Sequence, residues 1–81
     1  MNSEPTVTEL ERMIVTAGLL PVNYVYNATA PLAEWLDSLG RLQLVTSIEE
    51  AWGVDVEQEL MGSTARRMTL SELAVLIDNA R

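Results

Sequence analysis

Residues 38–52 have the length and the pattern of an amphipathic helix with a marked start and a marked end. At about 100° per residue, five apolar side chains fall within one arc about 120° wide, the width of a stripe that packs against a core. They are Leu44, Val45, Ile48, Ala51 and Trp52. Asp37 is a favourable N-cap before this helix, and Gly53 ends it. Such a face must be covered by other elements, so the segment favours packed helices.

The opposite side of this helix combines leucines with polar and acidic residues. Its members are Leu39, Leu42, Gln43, Thr46, Glu49 and Glu50. Apolar side chains bordered by carboxylates suit a surface that docks a protein partner transiently. Scattered surface leucines are also common in proteins that bind nothing there. Both interpretations of the two leucines stay open on the helical pattern alone.

Ser38 lies at the predicted start of the helix, directly after the cap. A serine nucleophile needs a base, and the chain has neither histidine nor lysine. Carboxylate pairs such as Glu57 with Glu59 would need a desolvating pocket for acid–base chemistry, so we interpret them as solvated surface charge. An anionic group on Ser38 would lie at the positive end of the helix dipole. We therefore interpret Ser38 as an attachment point, with an ordinary helix-start serine as the alternative.

Composition fits one small acidic domain, residues 1–81. The net charge of −7 comes from twelve acidic residues and five arginines, and it argues against nucleic acid and anionic membranes as partners. Without cysteine, the chain can form neither a disulfide nor a thiolate metal site. The first residues lack the basic and apolar regions of a signal peptide, and no stretch approaches membrane-spanning length. We expect a cytoplasmic monomer without a bound metal.

A first helix is predicted over about 7–19, because capping-box spacings begin at both Thr6 and Thr8. A long loop, about 20–37, follows it, since its prolines oppose a continuous helix. Within that loop, residues 31–36 can form one short helical turn with proline at an allowed position.

Two further helices are predicted after the central one. Val54 and Val56 should insert under the helices before a short helix at about 57–62. Thr69 begins a capping box that opens the last helix, about 70–80. The loop between these two helices contains a pair of arginines, Arg66 and Arg67, which we interpret as solvated.

The run from Asp37 to Val56 resembles the second helix of the acyl and peptidyl carrier proteins. In that family, Asp-Ser-Leu precedes an apolar helix with a Leu-Glu-Glu-like stretch and an aromatic residue. The matching residues here are Asp37-Ser38-Leu39, Leu44-Val45, Ile48-Glu49-Glu50 and Trp52. Residues 68–74 also resemble the start of the family's final helix. The resemblance implies an all-α four-helix bundle, with three longer helices, a short third helix and a long first loop.

The resemblance also implies a function and a set of site residues. Ser38 matches the serine to which a phosphopantetheinyl transferase joins 4'-phosphopantetheine from coenzyme A, with Asp37 and Leu39 beside it. The arm would hold acyl, polyketide or aminoacyl cargo as a thioester, and the protein itself would catalyse nothing. Loading enzymes, synthases and transferases would be its partners. The implied partner surface comprises Leu39, Arg41, Leu42, Gln43, Thr46, Glu49 and Glu50. Candidate contacts for the arm or cargo are Trp35, Met61 and Met68.

Three residues depart from the family pattern. Trp35 stands where glycine is expected, Gln43 occupies a position that is often acidic, and Arg41 is basic. These departures favour a carrier of a specialised natural-product pathway, making polyketides or nonribosomal peptides. A fatty-acid synthesis carrier and a D-alanyl carrier are the alternatives within the family. A different class also stays open, namely an acidic helical module that binds a partner through Leu39 and Leu42 and is never modified.

Overall fold

The computed structural model describes residues 3–20 and 29–81. Within these ranges the chain is mostly helical and has no β-strand, only an isolated antiparallel bridge between Pro31 and Thr69. The elements are α1 (Glu4–Thr16), α2 (Leu32–Trp35), α3 (Ser38–Trp52), α4 (Glu57–Met61), a 3₁₀ turn (Ser63–Arg66) and α5 (Leu70–Ala80). No helix in the described part of the chain is long and apolar enough to cross a bilayer.

The helix α3 begins and ends at the predicted residues. The Asp37 carboxylate accepts a hydrogen bond from the Gly40 N–H at 2.7 Å, which satisfies one of the free donors of the first turn. Gly53 follows Trp52 with a φ of 69°, a left-handed conformation that glycine adopts without a Cβ clash. Local chemistry at both ends therefore sets the length of α3.

The predicted bounds of the first helix, 7–19, were wrong at both ends. The helix α1 begins earlier, at Glu4, after the N-cap Ser3, whose side chain makes no capping hydrogen bond to the helix. Thr6 does not cap it, because its hydroxyl donates a hydrogen bond to Asp78 on α5 instead. The helix ends at Thr16, and Gly18 follows in a left-handed conformation with a φ of 68°.

The end of α1 is a Schellman motif. The Gly18 N–H donates to the Val15 carbonyl at 3.1 Å, and the Leu19 N–H donates to the Ile14 carbonyl at 2.9 Å. These two bonds satisfy carbonyls that the helix would otherwise leave without a partner. Because the motif needs its glycine two residues beyond the last helical one, the helix stops before Gly18.

The short helical turn predicted at residues 31–36 is confirmed, whereas the prediction omitted a second short element, a 3₁₀ turn. The chain forms α2 within the predicted long loop, where Pro31 is the N-cap, and the Leu32 N–H donates to the Met68 carbonyl at 2.7 Å. The 3₁₀ turn Ser63–Arg66 lies where a loop was expected. The helix α4 ends at Met61 with Gly62 as its C-cap, in agreement with the predicted short helix at about 57–62. The part of the predicted loop at residues 21–28 lies outside the described residues.

The core is formed by the inner faces of the helices and by the segment between α3 and α4. Its buried side chains are Leu10, Ile14, Leu32, Trp35, Leu36, Leu44, Val45, Ile48, Val54, Val56, Leu60, Leu70, Leu73, Ala74 and Ile77. Val54 and Val56 are buried, as predicted. Two residues of the predicted apolar face of α3 differ: Ala51 is exposed and Trp52 is half-buried. They lie in the last turn, where less of the helix is covered.

A polar contact joins α1 to α5 beside this apolar core. Thr6 is buried, and its hydroxyl donates to the Asp78 carboxylate. The pKa of the Asp78 carboxyl lies below its ordinary value, chiefly because the hydroxyls of Thr6 and then Ser3 donate hydrogen bonds to the charged form, with a smaller contribution from the Arg81 guanidinium. A lowered carboxyl pKa in the folded state stabilises the fold above the unfolded pKa of about 3.9.

Replacement of Thr6 by valine tests this contact, because valine keeps the shape and removes the hydroxyl. We expect Thr6→Val to lower the urea midpoint of unfolding at pH 7. The difference from the wild type should shrink as the pH falls below about 4, since protonation of Asp78 removes the stabilisation in the wild type as well. Thr8→Val, at an exposed position of the same helix, is the control. An equal midpoint difference at pH 7 and pH 3 would contradict this origin.

Candidate functional site

Ser38 is the first residue of α3 and lies in a three-residue exposed segment with a buried residue on each side. Asp37, Ser38 and Leu39 are exposed, whereas Leu36 before them and Gly40 after them are buried. The chain therefore leaves the core for three residues and returns to it. This arrangement leaves Ser38 exposed at the start of the helix, between two buried residues.

Gly40 packs closely against the cap. A Cβ on Gly40 would lie 3.1 Å from Asp37 Oδ1 and 3.1 Å from Leu36 Cδ2. Any larger residue would press on the carboxylate that begins the helix and on the leucine that anchors it. The glycine thus allows the cap and the buried Leu36 side chain to lie against the same turn.

Arg41 folds back along the first turn of α3 toward Ser38. Its Nη1 donates a hydrogen bond to the Leu36 carbonyl at 2.9 Å, and its Nη2 lies 3.5 Å from Ser38 Oγ. The Nε atom is buried, and among the described residues it has no hydrogen-bond partner. Arg41 as a whole is half-buried.

The contact with Arg41 does not activate Ser38. A guanidinium only donates hydrogen bonds and does not lose its proton in proteins. The chain contains no histidine and no lysine that could take the hydroxyl proton. The site can therefore present an alcohol to an external enzyme, but it lacks the usual means of making a serine nucleophilic by itself.

The outward side of α3 carries the predicted partner residues, apart from Arg41. Leu39 is 68 % exposed and Leu42 is 43 % exposed. The other members are also exposed: Gln43, Thr46, Glu49 and Glu50. We call these six residues the docking face. The structure thus brings two leucines and two exposed carboxylates onto one side of a helix that begins at Ser38.

The candidate arm and cargo residues line three different grooves. Trp35 is buried, and it lines a groove of about 510 Å³ together with Leu39, beside Ser38. Met61 lines a second groove of about 590 Å³, together with Arg41 and Arg66. Met68 lines a third groove of about 700 Å³ between α4 and α5. The structure therefore does not bring Met61 and Met68 together in one site.

The sequence analysis did not predict that the Arg41 side chain turns back toward the Leu36 carbonyl and Ser38. The spacing of three residues between Ser38 and Arg41 was an available signal, because side chains at positions i and i+3 are neighbours on a helix. The spacing does not show which rotamer the arginine adopts. The Leu36 carbonyl supplies that information, and it becomes a partner only in the folded structure.

Comparison with known proteins yields no relative. No model of a protein family, no curated protein and no solved structure matches the chain. Any function assigned to it therefore depends on the geometry around Ser38 and on expectations drawn from the sequence.

Loss of the Asp37 cap should destabilise the fold measurably. We expect Asp37→Ala to lower the free energy of unfolding by about 1 kcal/mol, because the Gly40 N–H loses its acceptor. Asp37→Asn should retain most of the stability, since asparagine is an equally good cap. Urea unfolding followed by circular dichroism measures both changes.

Glu34→Ala is the control for the change in net charge, because Glu34 is an exposed carboxylate on α2. It should leave the unfolding free energy nearly unchanged. If Asp37→Ala proved no more destabilising than Glu34→Ala, the carboxylate would not act as the cap.

Proposed function

We propose that this protein is a carrier that holds acyl, polyketide or aminoacyl groups as thioesters on a 4'-phosphopantetheine arm at Ser38. The observation that supports this most directly is the exposed Ser38 hydroxyl at the start of a capped helix, within a run that resembles the carrier helix. A phosphopantetheinyl transferase would attach the arm, and other enzymes would load, process and unload the cargo. The protein itself would have no catalytic activity.

The residues around Ser38 fit a phosphodiester-linked arm. The hydroxyl is exposed, the N-terminus of α3 favours an anion, and the Arg41 guanidinium lies beside the oxygen. Attachment forms a bond from Ser38 Oγ to phosphorus and breaks the pyrophosphate bond of coenzyme A. Adenosine 3',5'-bisphosphate leaves, and the transferase accepts the hydroxyl proton. When bound, the arm supplies the thiol that holds cargo as a thioester.

The docking face suits brief contacts with several enzymes. Leu39 and Leu42 supply exposed apolar area next to the attachment point, and Glu49 and Glu50 supply negative charge for basic partner surfaces. Small interfaces of this kind tend to be transient. A carrier must release each enzyme after one step, so weak docking agrees with the proposed role.

Departures from the family pattern guide the choice of pathway. Arg41 and Gln43 make the surface around Ser38 less uniformly negative, and Trp35 lines a groove beside it. Partner specificity should change with such substitutions. We therefore favour a specialised natural-product pathway, with fatty-acid synthesis and D-alanyl transfer as alternatives.

The proposal requires that Ser38 be the single point of attachment. Incubation with a broad-specificity phosphopantetheinyl transferase and coenzyme A should raise the intact mass by one phosphopantetheine group. Ser38→Ala should abolish this increase while leaving the circular dichroism spectrum unchanged. Ser71→Ala is the matched control, because Ser71 is also an exposed serine in the first turn of a capped helix.

An unchanged mass in the wild-type protein, together with retained binding of a partner, would establish the alternative class, an unmodified interaction module. A mass increase that survives Ser38→Ala would place the arm elsewhere and overturn the assignment of Ser38.

The docking face should matter for modification rather than for stability. We expect Leu39→Ala to lower kcat/KM of the transferase about tenfold, equivalent to about 1.4 kcal/mol of lost contact, because buried apolar anchors dominate small interfaces. The urea midpoint should not change, since Leu39 is 68 % exposed. Val15→Ala is the control, because Val15 is 65 % exposed on α1. Equal rates for both variants would contradict a docking role for Leu39.

A further inference from the structure

Arg41 has more hydrogen-bond donors than the folded chain uses. A guanidinium has five N–H donors. One edge is fixed by the bond from Nη1 to the Leu36 carbonyl, 2.9 Å long. Nη2 lies 3.5 Å from Ser38 Oγ, beyond the usual range of an N–H···O hydrogen bond. The guanidinium is therefore held in a fixed orientation with donors left over on the side facing Ser38.

Among the residues that the structure describes, Arg41 has no carboxylate partner. Within residues 3–20 and 29–81, ion pairs involve Arg12 with Glu9 and Arg81 with Asp78, and none involves Arg41 or Arg66. These two arginines line the same groove, together with Met61 and Ala65. In a chain with net charge −7, a groove with two unpaired guanidiniums and no carboxylate among its described lining residues is a local reversal of charge.

Arg41 lies near the positive end of the α3 dipole, where the Asp37 carboxylate already accepts a hydrogen bond from the Gly40 N–H. Cations are disfavoured near the N-terminus of a helix, where the dipole is positive, and Arg41 lies in the first turns of α3. The bond to the Leu36 carbonyl offsets part of this cost. A negative charge between the helix end and the guanidinium would be attracted to both.

We propose that Arg41 is a binding residue for a phosphate group esterified to Ser38. The phosphoryl oxygens would extend beyond Ser38 Oγ and come within hydrogen-bond distance of the free Arg41 donors, forming a charge-assisted pair. The same chemistry applies to the phosphodiester of an arm and to the phosphate of a phosphoserine. The assignment of this phosphate to the arm rests on the proposed function. The contact between Arg41 and a phosphate on Ser38 does not.

The first experiment uses protein with phosphoserine incorporated at position 38 during translation, so that no transferase is needed. Titration followed by ³¹P NMR gives the second pKa of the phosphate, ordinarily about 6. We expect Arg41→Gln to raise this pKa by about 0.5 or more, because a cation close to an anion favours its charged form. Asp37, which acts in the opposite direction, and the N-terminus of α3 are present in every variant.

Arg66→Gln is the matched control, because Arg66 lines the same groove and is exposed. It should leave the phosphate pKa unchanged. Arg41→Lys keeps the charge but replaces the guanidinium by one ammonium group, so the phosphate pKa in this variant should fall between those in the wild type and in Arg41→Gln. This variant also provides the test if Arg41→Gln fails to fold. Equal pKa values for the wild type and both Arg41 variants would overturn the proposal, as would an equal effect of Arg66→Gln.

The second experiment uses protein carrying the arm. The ³¹P resonance of its phosphodiester should shift in Arg41→Gln and not in Arg66→Gln, and the side-chain N–H resonances of Arg41 should change when the arm is attached. A phosphodiester signal insensitive to Arg41 would overturn the contact in this form. If the transferase cannot modify the wild-type chain, the proposed function fails, and the phosphoserine titration still decides whether Arg41 binds phosphate.

Discussion

The hydrogen bond from the Gly40 N–H to the Asp37 carboxylate, 2.7 Å long, is the interaction on which the site depends. It fixes where α3 begins, and therefore which residue comes first in the helix. Leu36 and Gly40 are buried on either side of the exposed segment, so the helix start cannot shift along the chain without exposing one of them. Capping and burial together hold Ser38 outward, and the docking face follows from the helical rotation that begins there.

The parts of the fold that the sequence predicts well are those with local signals at both ends. Asp37 and Gly53 bound α3, and the capping box of Thr69 with Glu72 begins α5 at Leu70. The start of α1 was mispredicted for a physical reason: Thr6 has the capping-box spacing, but in the folded chain its hydroxyl bonds to Asp78, far away in sequence. The Thr6 hydroxyl therefore makes a tertiary hydrogen bond in place of the local capping bond that the motif predicts.

For the candidate site, the sequence predicted only those residue positions that helical periodicity determines. Counting residues around the helix placed Leu39 and Leu42 outward correctly, because exposure on a helix follows a fixed angular period. The same count placed Ala51 inward, although it is exposed in the last turn of α3, where Trp52 is only half-buried against the core. The orientation of the Arg41 side chain depends on its hydrogen bond to the Leu36 carbonyl, where the chain is extended between α2 and α3. Helical periodicity does not predict this bond.

Ser38 separates two surfaces of opposite charge. At about 100° per residue around the axis of α3, the docking face with its two glutamates lies on one side of Ser38. Arg41 lies about 60° away from Ser38 on the other side. A partner with a basic surface would be attracted to the acidic side and repelled by the guanidinium. A phosphate on Ser38 would neutralise Arg41 and remove that repulsion. Attachment of an arm would then do more than supply a thiol, because it would also make the surroundings of Ser38 more uniformly attractive to basic partners.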